Sequence, residues 1–142
     1  MLLAAAETQV GVAAFQTLFD EALYDVVMPD VKYCGGPREM LAIAKRAAEA
    51  GVRFSPHNPT GPVCTQHSLH VAAAASECEG LEMQFDESPL YARLTAQAQP
   101  ALVNGALVAP STAGLGLVLD ERVLAAHPCQ HVPLGIESLA TR

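Results

Sequence analysis

The stretch YDVVMPDVKYCGGPREMLAIAKRAAEAGVRFSPH, residues 24–57, reads as strand, turn, helix and second strand in succession. Residues 24–30 are a short apolar run closed by Pro29 and Asp30, the pattern of a strand buried on both faces. Pro37, behind the turn residues CGG, suits a first helical turn because the N–H it lacks would be unpaired there anyway. Across residues 37–51 the spacing turns Met40, Leu41, Ile43, Ala44, Ala47 and Ala48 inward, and Gly51 is the expected C-cap. Residues 51–57 (GVRFSPH) return as a strand that ends on His57, held between Pro56 and Pro59 where neither helix nor strand continues.

The same alternation extends outward. LLAAAE (2–7) is an apolar run ending in a carboxylate. Residues 10–23 place Val12, Phe15, Leu18 and Phe19 at helical spacing. Beyond His57, TQHSLHVAAAAS (65–76) reads as a third helix and GLEMQF (80–85) as a fourth strand. Repeated strand–helix units of this kind build an α/β fold around a parallel sheet. The C-terminal ends of parallel strands share one face, where ligands bind. Glu7, Asp30 and His57 end three of the strands and Glu82 lies inside the fourth, so these four are expected to converge.

From residue 101 the pattern changes. Asn104-Gly105 between two apolar runs signals a hairpin, followed by a Gly-rich turn and LGLVLD (115–120), together a small β appendage. Residues from 131 onward read as a loose terminus. This divides the chain into a βα-unit region, 1–100, and a C-terminal β segment with its tail, 101–142.

Composition bounds the function. The 142 residues, 51% of them hydrophobic, suffice for one packed domain. A net charge of -7 with eight scattered Lys and Arg excludes a nucleic-acid footprint, which needs clustered cations. The four cysteines, Cys34, Cys64, Cys78 and Cys129, have no CxxC spacing, and no leader pattern accompanies them. They read as reduced thiols of a cytoplasmic protein. No apolar run approaches the length that spans a bilayer, so no membrane role is expected.

The order of these pieces resembles a known family. PDVKYCGGPREMLAIAKRAAEAGVRFSPHNPTGPV (29–63), SLHVAAA (68–74), LEMQF (81–85) and NGALVAPSTAGLGLVLDE (104–121) are similar to the C-terminal half of the mandelate racemase and muconate lactonizing enzyme group of the enolase superfamily. The likeness runs over about residues 7–121. It implies the C-terminal half of a TIM-type (β/α) barrel, about four βα units, with the β appendage beside it. It also implies a small carboxylate substrate, here a sugar acid, whose α-proton is removed on Mg²⁺. Position by position, Glu7 resembles the metal-binding Glu, Asp30 and His57 the His-Asp dyad, and Glu82 the acid that hydrogen-bonds the substrate carboxylate.

The chemistry explains those residue types. Removing a proton next to a carboxylate creates a dianionic enediolate, whose charge must be absorbed by a metal and acidic donors. A neutral His can take the proton, and a carboxylate at its other ring nitrogen fixes the tautomer and stabilises the imidazolium. HNPTGPV (57–63) and EMQFDESP (82–89) look most like the acid-sugar dehydratases. A racemase or epimerase, or a cycloisomerase, of the same family is the alternative, and a non-catalytic truncated barrel fragment is a third reading.

A full barrel needs eight strands and roughly 250 residues. The family's second-strand base and its third- and fourth-strand metal ligands have no counterpart in this chain. The isolated chain is therefore expected to be unstable or oligomeric and to have little activity; the full-length form is expected to be a homo-oligomer. One matching position departs from the family, which often shows Gly-Glu where this chain has Ala6-Glu7.

Plainer readings stand beside these. His57 could be a turn histidine, Asp30 an Asx-type turn before Gly35, and Glu82 a satisfied buried acid. Cys64, His67 and His70 fall three apart and could present metal ligands along a helix, although a fourth ligand is lacking. Gly114 and Gly116 lack the third glycine and the following helix of a nucleotide loop, and read as a turn.

Overall fold

A computed structural model describes residues 1–84, 88–97 and 100–128 of the chain. Three short strands, β1 (Ala4–Ala5), β2 (Val26–Val27) and β3 (Arg53–Phe54), form a parallel sheet in the order β1-β2-β3. Helix α1 (Gly11–Asp20) follows β1, α2 (Pro37–Ala50) follows β2 and α3 (Pro62–Ala74) follows β3. The expected βα alternation is present, and among the described residues the sheet stays open: no closed barrel forms.

Register is set by the hydrophobic pattern. Val26 pairs with Arg53 and Val27 with Phe54, which buries Val27 and Phe54 together under the helices. The core continues through Phe15 and Phe19 of α1, whose rings stand 6.3 Å apart, and Met40, Ile43, Ala44 and Ala47 of α2. α2 packs against α1, α3 and β3, so it is the central element of the helical layer. Pro37 occupies its first turn. Gly51 closes it in the left-handed conformation, φ 71°, while the Val52 N–H returns to the Ala47 carbonyl at 2.9 Å.

Two expectations are corrected here. Leu41 does not face inward: it is 40% exposed, since the buried stripe of α2 runs through residues 40, 43, 44 and 47 and leaves position 41 on its flank. Residues 80–84 do not form a fourth strand, and Phe85 lies outside the described residues. The chain there follows β3 through a single bridge, Phe54 to Cys78, and the bonds Glu79 N–H to Phe54 O and Glu82 N–H to Pro56 O. No described strand pairs on its outer side, so the ladder has nothing to extend it.

The C-terminal region contains the expected hairpin, β4 (Leu102–Val103) and β5 (Ala106–Leu107), antiparallel. Asn104 and Gly105 have φ 51° and 78°, the pair of positive values that a two-residue I′ turn demands. Two short helices were not foreseen: α4 (Leu90–Arg93) and α5 (Glu121–Ala126). Asp120, read as the end of a strand, caps α5, its Oδ1 accepting the N–H of Arg122 at 2.9 Å and of Val123 at 3.1 Å. LGLVLD contributes one antiparallel bridge, Thr95 to Leu119, instead of a strand. The tail from residue 131 lies outside the described residues. Among the described residues no helix is long and apolar enough to cross a membrane.

Candidate active site

The pairing of β2 with β3 continues past the strands. Both segments keep the offset of 27 residues, and an isolated parallel bridge joins Asp30 to His57. The His57 N–H donates to the Pro29 carbonyl at 3.2 Å, fixing the backbone beneath the ring. Sheet register therefore puts the two side chains next to each other, and His57 Nδ1 lies 2.9 Å from Asp30 Oδ2.

Asp30 is 1% exposed and its carboxylate is fully engaged. Oδ1 accepts the Lys32 amide N–H at 2.8 Å, which is the Asx-type turn, while Oδ2 faces His57. The turn and the contact with histidine are thus both present, one on each oxygen. The Asp30 carbonyl also accepts the N–H of Tyr33 and Cys34, holding the turn that leads to α2. A carboxylate so placed makes Nδ1 the protonated nitrogen and leaves the Nε2 lone pair free.

The other side of the His57 loop is anchored on α3. Asn58, 2% exposed, donates from Nδ2 to Thr65 Oγ1 at 3.1 Å, and the Tyr91 hydroxyl donates to the same oxygen at 3.0 Å. Pro56 and Asn58, both buried, flank a ring whose side chain is 23% exposed. The histidine is open enough to meet a ligand and is held from behind.

Glu82 joins the pair from the segment beside β3. Its Oε2 lies 3.9 Å from His57 Nε2, and its side chain is 41% exposed. The structure thus brings together Asp30, His57 and Glu82, the last on an irregular segment instead of a strand. Glu7 is half-buried in the turn after β1. Ala6, just before it, is buried with φ 88°, a conformation that glycine adopts readily and alanine does not. The Ala6-Glu7 departure from the family's Gly-Glu therefore falls on a strained residue.

Among the described residues no group of three or more His, Cys, Asp or Glu could hold a metal ion. Glu7 alone does not fit magnesium, which demands near-octahedral oxygen donors. The Cys64, His67, His70 spacing is not a metal site either: Cys64 packs against the core, and His70 Nε2 lies 3.2 Å from the Leu115 carbonyl oxygen. A cleft of about 610 Å³ between α3, residues 88–94 and the hairpin is walled by Met83, Leu90, Leu94, Leu102 and Leu107. It contains none of Asp30, His57 or Glu82, and its apolar walls do not suit a polyhydroxy acid.

Sequence reasoning missed three supports of this site. Lys32 Nζ lies 3.3 Å from Asp30 Oδ2 and 4.8 Å from the Tyr33 ring centroid. Glu39, in the first turn of α2, accepts the Val12 N–H at 2.8 Å, while the Gly11 N–H donates to the Cys34 carbonyl. These bonds clip the loop carrying Glu7 to the loop carrying Asp30. The third is the Asn58–Thr65–Tyr91 anchor. None leaves a short-range signal, because each joins residues distant in sequence or depends on side-chain direction.

Comparison with known proteins agrees with the fold. The family described as enolase C-terminal domain-like matches residues 1–123. The chain is 28% identical over 135 residues to an arabinonate dehydratase of Saccharolobus solfataricus, covering 89% of this chain and 36% of that protein. It is 31% identical over 112 residues to a D-xylonate dehydratase of Haloferax volcanii, covering 79% of this chain and 27% of that one. Among solved structures, a protein of Burkholderia xenovorans named as an L-alanine-DL-glutamate epimerase, bound to magnesium and fumarate, superposes with TM-score 0.83 at 29% identity. That match covers 89% of this chain and 31% of the epimerase. The chain thus spans about a third of the length of these relatives.

Proposed function

The chain belongs to the enolase C-terminal domain-like family, and from that premise we propose that it carries the proton-transfer side of an acid-sugar dehydratase. The observation that supports this most is the Asp30–His57 contact at 2.9 Å, produced by sheet register and paired with a free Nε2 beside Glu82. His57 Nε2 takes the proton next to the substrate carboxylate, and the C–H electron pair moves into the enediolate. Asp30 holds Nδ1–H and stabilises the imidazolium. The β C–O bond then breaks with its electron pair, the oxygen takes the proton back from Nε2, and water departs. With substrate bound, Glu82 shares one proton with the substrate carboxylate and so hydrogen-bonds it, since two neighbouring carboxylates cannot both stay charged.

Magnesium enters this reading from the family and the magnesium-bound relative; when bound it would neutralise the enediolate's charge. Glu7 offers one oxygen donor toward such a cation, and other residues must supply the rest. Residues 1–142 alone are accordingly proposed to turn over no sugar acid. The open edges of the sheet favour self-association, and the complete protein is proposed to be a homo-oligomer in the cytoplasm.

Product analysis tests the reading. Incubating the protein that carries these residues with magnesium and a panel of sugar acids should yield a 2-keto-3-deoxy acid. An epimerised acid formed without loss of water would overturn it in favour of a racemase or epimerase, the reading favoured by the name of the Burkholderia relative. That alternative needs a second base on the opposite face of the substrate.

A further inference from the structure

We infer that Lys32 is a third, positioning member of the dyad, sharing with His57 the single Asp30 oxygen that would otherwise serve the imidazolium alone. The inference rests on the reading of Asp30 and His57 as the proton-transfer pair. Lys32 Nζ and His57 Nδ1 approach the same atom, Oδ2, at 3.3 Å and 2.9 Å. The Lys32 amide meanwhile holds Oδ1 at 2.8 Å. Among the described residues, the donors that meet this buried carboxylate are nitrogens of Lys32 and His57. The Lys32 side chain is 29% exposed and could reach water, yet it folds back with its ammonium 4.8 Å from the centre of the Tyr33 ring. That contact supplies a second attraction which keeps the cation on the dyad.

The consequence concerns the protonated state. An imidazolium facing a free carboxylate keeps the whole of its attraction, whereas here one negative charge serves two cations. Once protonated, His57 should release its proton more readily than in a simple pair. That suits the second half of a dehydration, in which the proton must pass to the departing hydroxyl. Glu82, with Oε2 3.9 Å from Nε2, acts in the opposite sense. Asp30, Lys32 and Glu82 are the charged groups that the described structure places around the ring. The two cations can be no more than about 6 Å apart, since both lie near one oxygen. At that separation, even with water-like screening, their repulsion amounts to about threefold in protonation, or about half a pH unit.

The test is a low-salt NMR titration of the His57 ring in the metal-free protein that carries these residues, comparing the parent with Lys32→Met, Lys32→Arg and Glu82→Gln. Lys32→Met should raise the titration midpoint by about half a pH unit or more, Lys32→Arg should leave it in place, and Glu82→Gln should lower it. An unmoved midpoint in Lys32→Met overturns the inference, as does an equal rise in Lys32→Arg, which keeps the charge. Lys32→Gln serves as a second neutral variant if the methionine form associates. Because neither substrate nor metal takes part, failure here leaves the dehydratase reading intact, and failure of the product analysis leaves this one intact.

Discussion

Replacing Asp30 by Asn tests the dyad without changing its shape. The carboxylate now accepts from the Lys32 amide on Oδ1, and on Oδ2 from His57 Nδ1 and the Lys32 ammonium. Asparagine has one acceptor oxygen and one amino group. Keeping the Lys32 amide bond turns its NH₂ toward His57, so Nδ1 must become an acceptor and Nε2 must carry the proton. Two charge-assisted bonds are lost, each worth about 1.5–3 kcal/mol. Part returns because Lys32, 29% exposed, can be rehydrated, and because an amide costs less to bury than a carboxylate. The net loss of stability is about 1–3 kcal/mol. The catalytic cost is larger, about 10²–10⁴-fold, because the lone pair now points away from the substrate side. Ring nitrogen shifts of His57 at pH 9, above the ordinary imidazole range, report the tautomer, and urea unfolding reports stability. A His57 ring that remains Nδ1–H in Asp30→Asn would refute the reasoning.

Two further outcomes follow from the packing. The Cys34 thiol is fully buried, and burial pushes it up from 9.0 to about 11. Between those values the unfolded chain loses the proton while the folded one keeps it, so stability is intact below about pH 9 and falls as pH rises toward 11. The loss approaches about 3 kcal/mol, and urea midpoints across pH 8–11 should show a steeper decline in the parent than in Cys34→Ala. Glu39→Ala removes the acceptor for the Val12 N–H and should cost about 1 kcal/mol, with faster hydrogen exchange at the Val12 and Gly11 amides. Unchanged exchange there would show that the clip between the two loops does not hold them.

The legible parts of the fold are those written in local chemistry. Pro37 and Gly51 bound α2, Asn104-Gly105 makes the hairpin, and the strand–helix alternation gives the parallel sheet. The meeting of the candidate residues was legible in part for the same reason: a parallel sheet delivers strand ends to one face, which is how Asp30 and His57 meet, while Glu82 reaches them from an irregular segment beside β3. Failures came where a pattern fits more than one neighbourhood. Residues 80–84 have a strand's composition but no outer partner in the described structure, and strand identity belongs to the pair, not to the segment. Asp120 ends a strand-like run, yet an Asp immediately before Glu121 and an apolar-spaced run is equally an N-cap signal. Lys32 leaves no such signal, since its direction depends on the turn that Asp30 itself organises.

The central claim is that His57 moves the substrate's α-proton. The most direct measurement is release of label from a sugar acid deuterated at C2 by the magnesium-loaded protein carrying these residues, with and without His57→Asn. The account predicts that the variant, folded by circular dichroism, releases label about 10²–10⁴-fold more slowly than the parent. Release at the parental rate would contradict it.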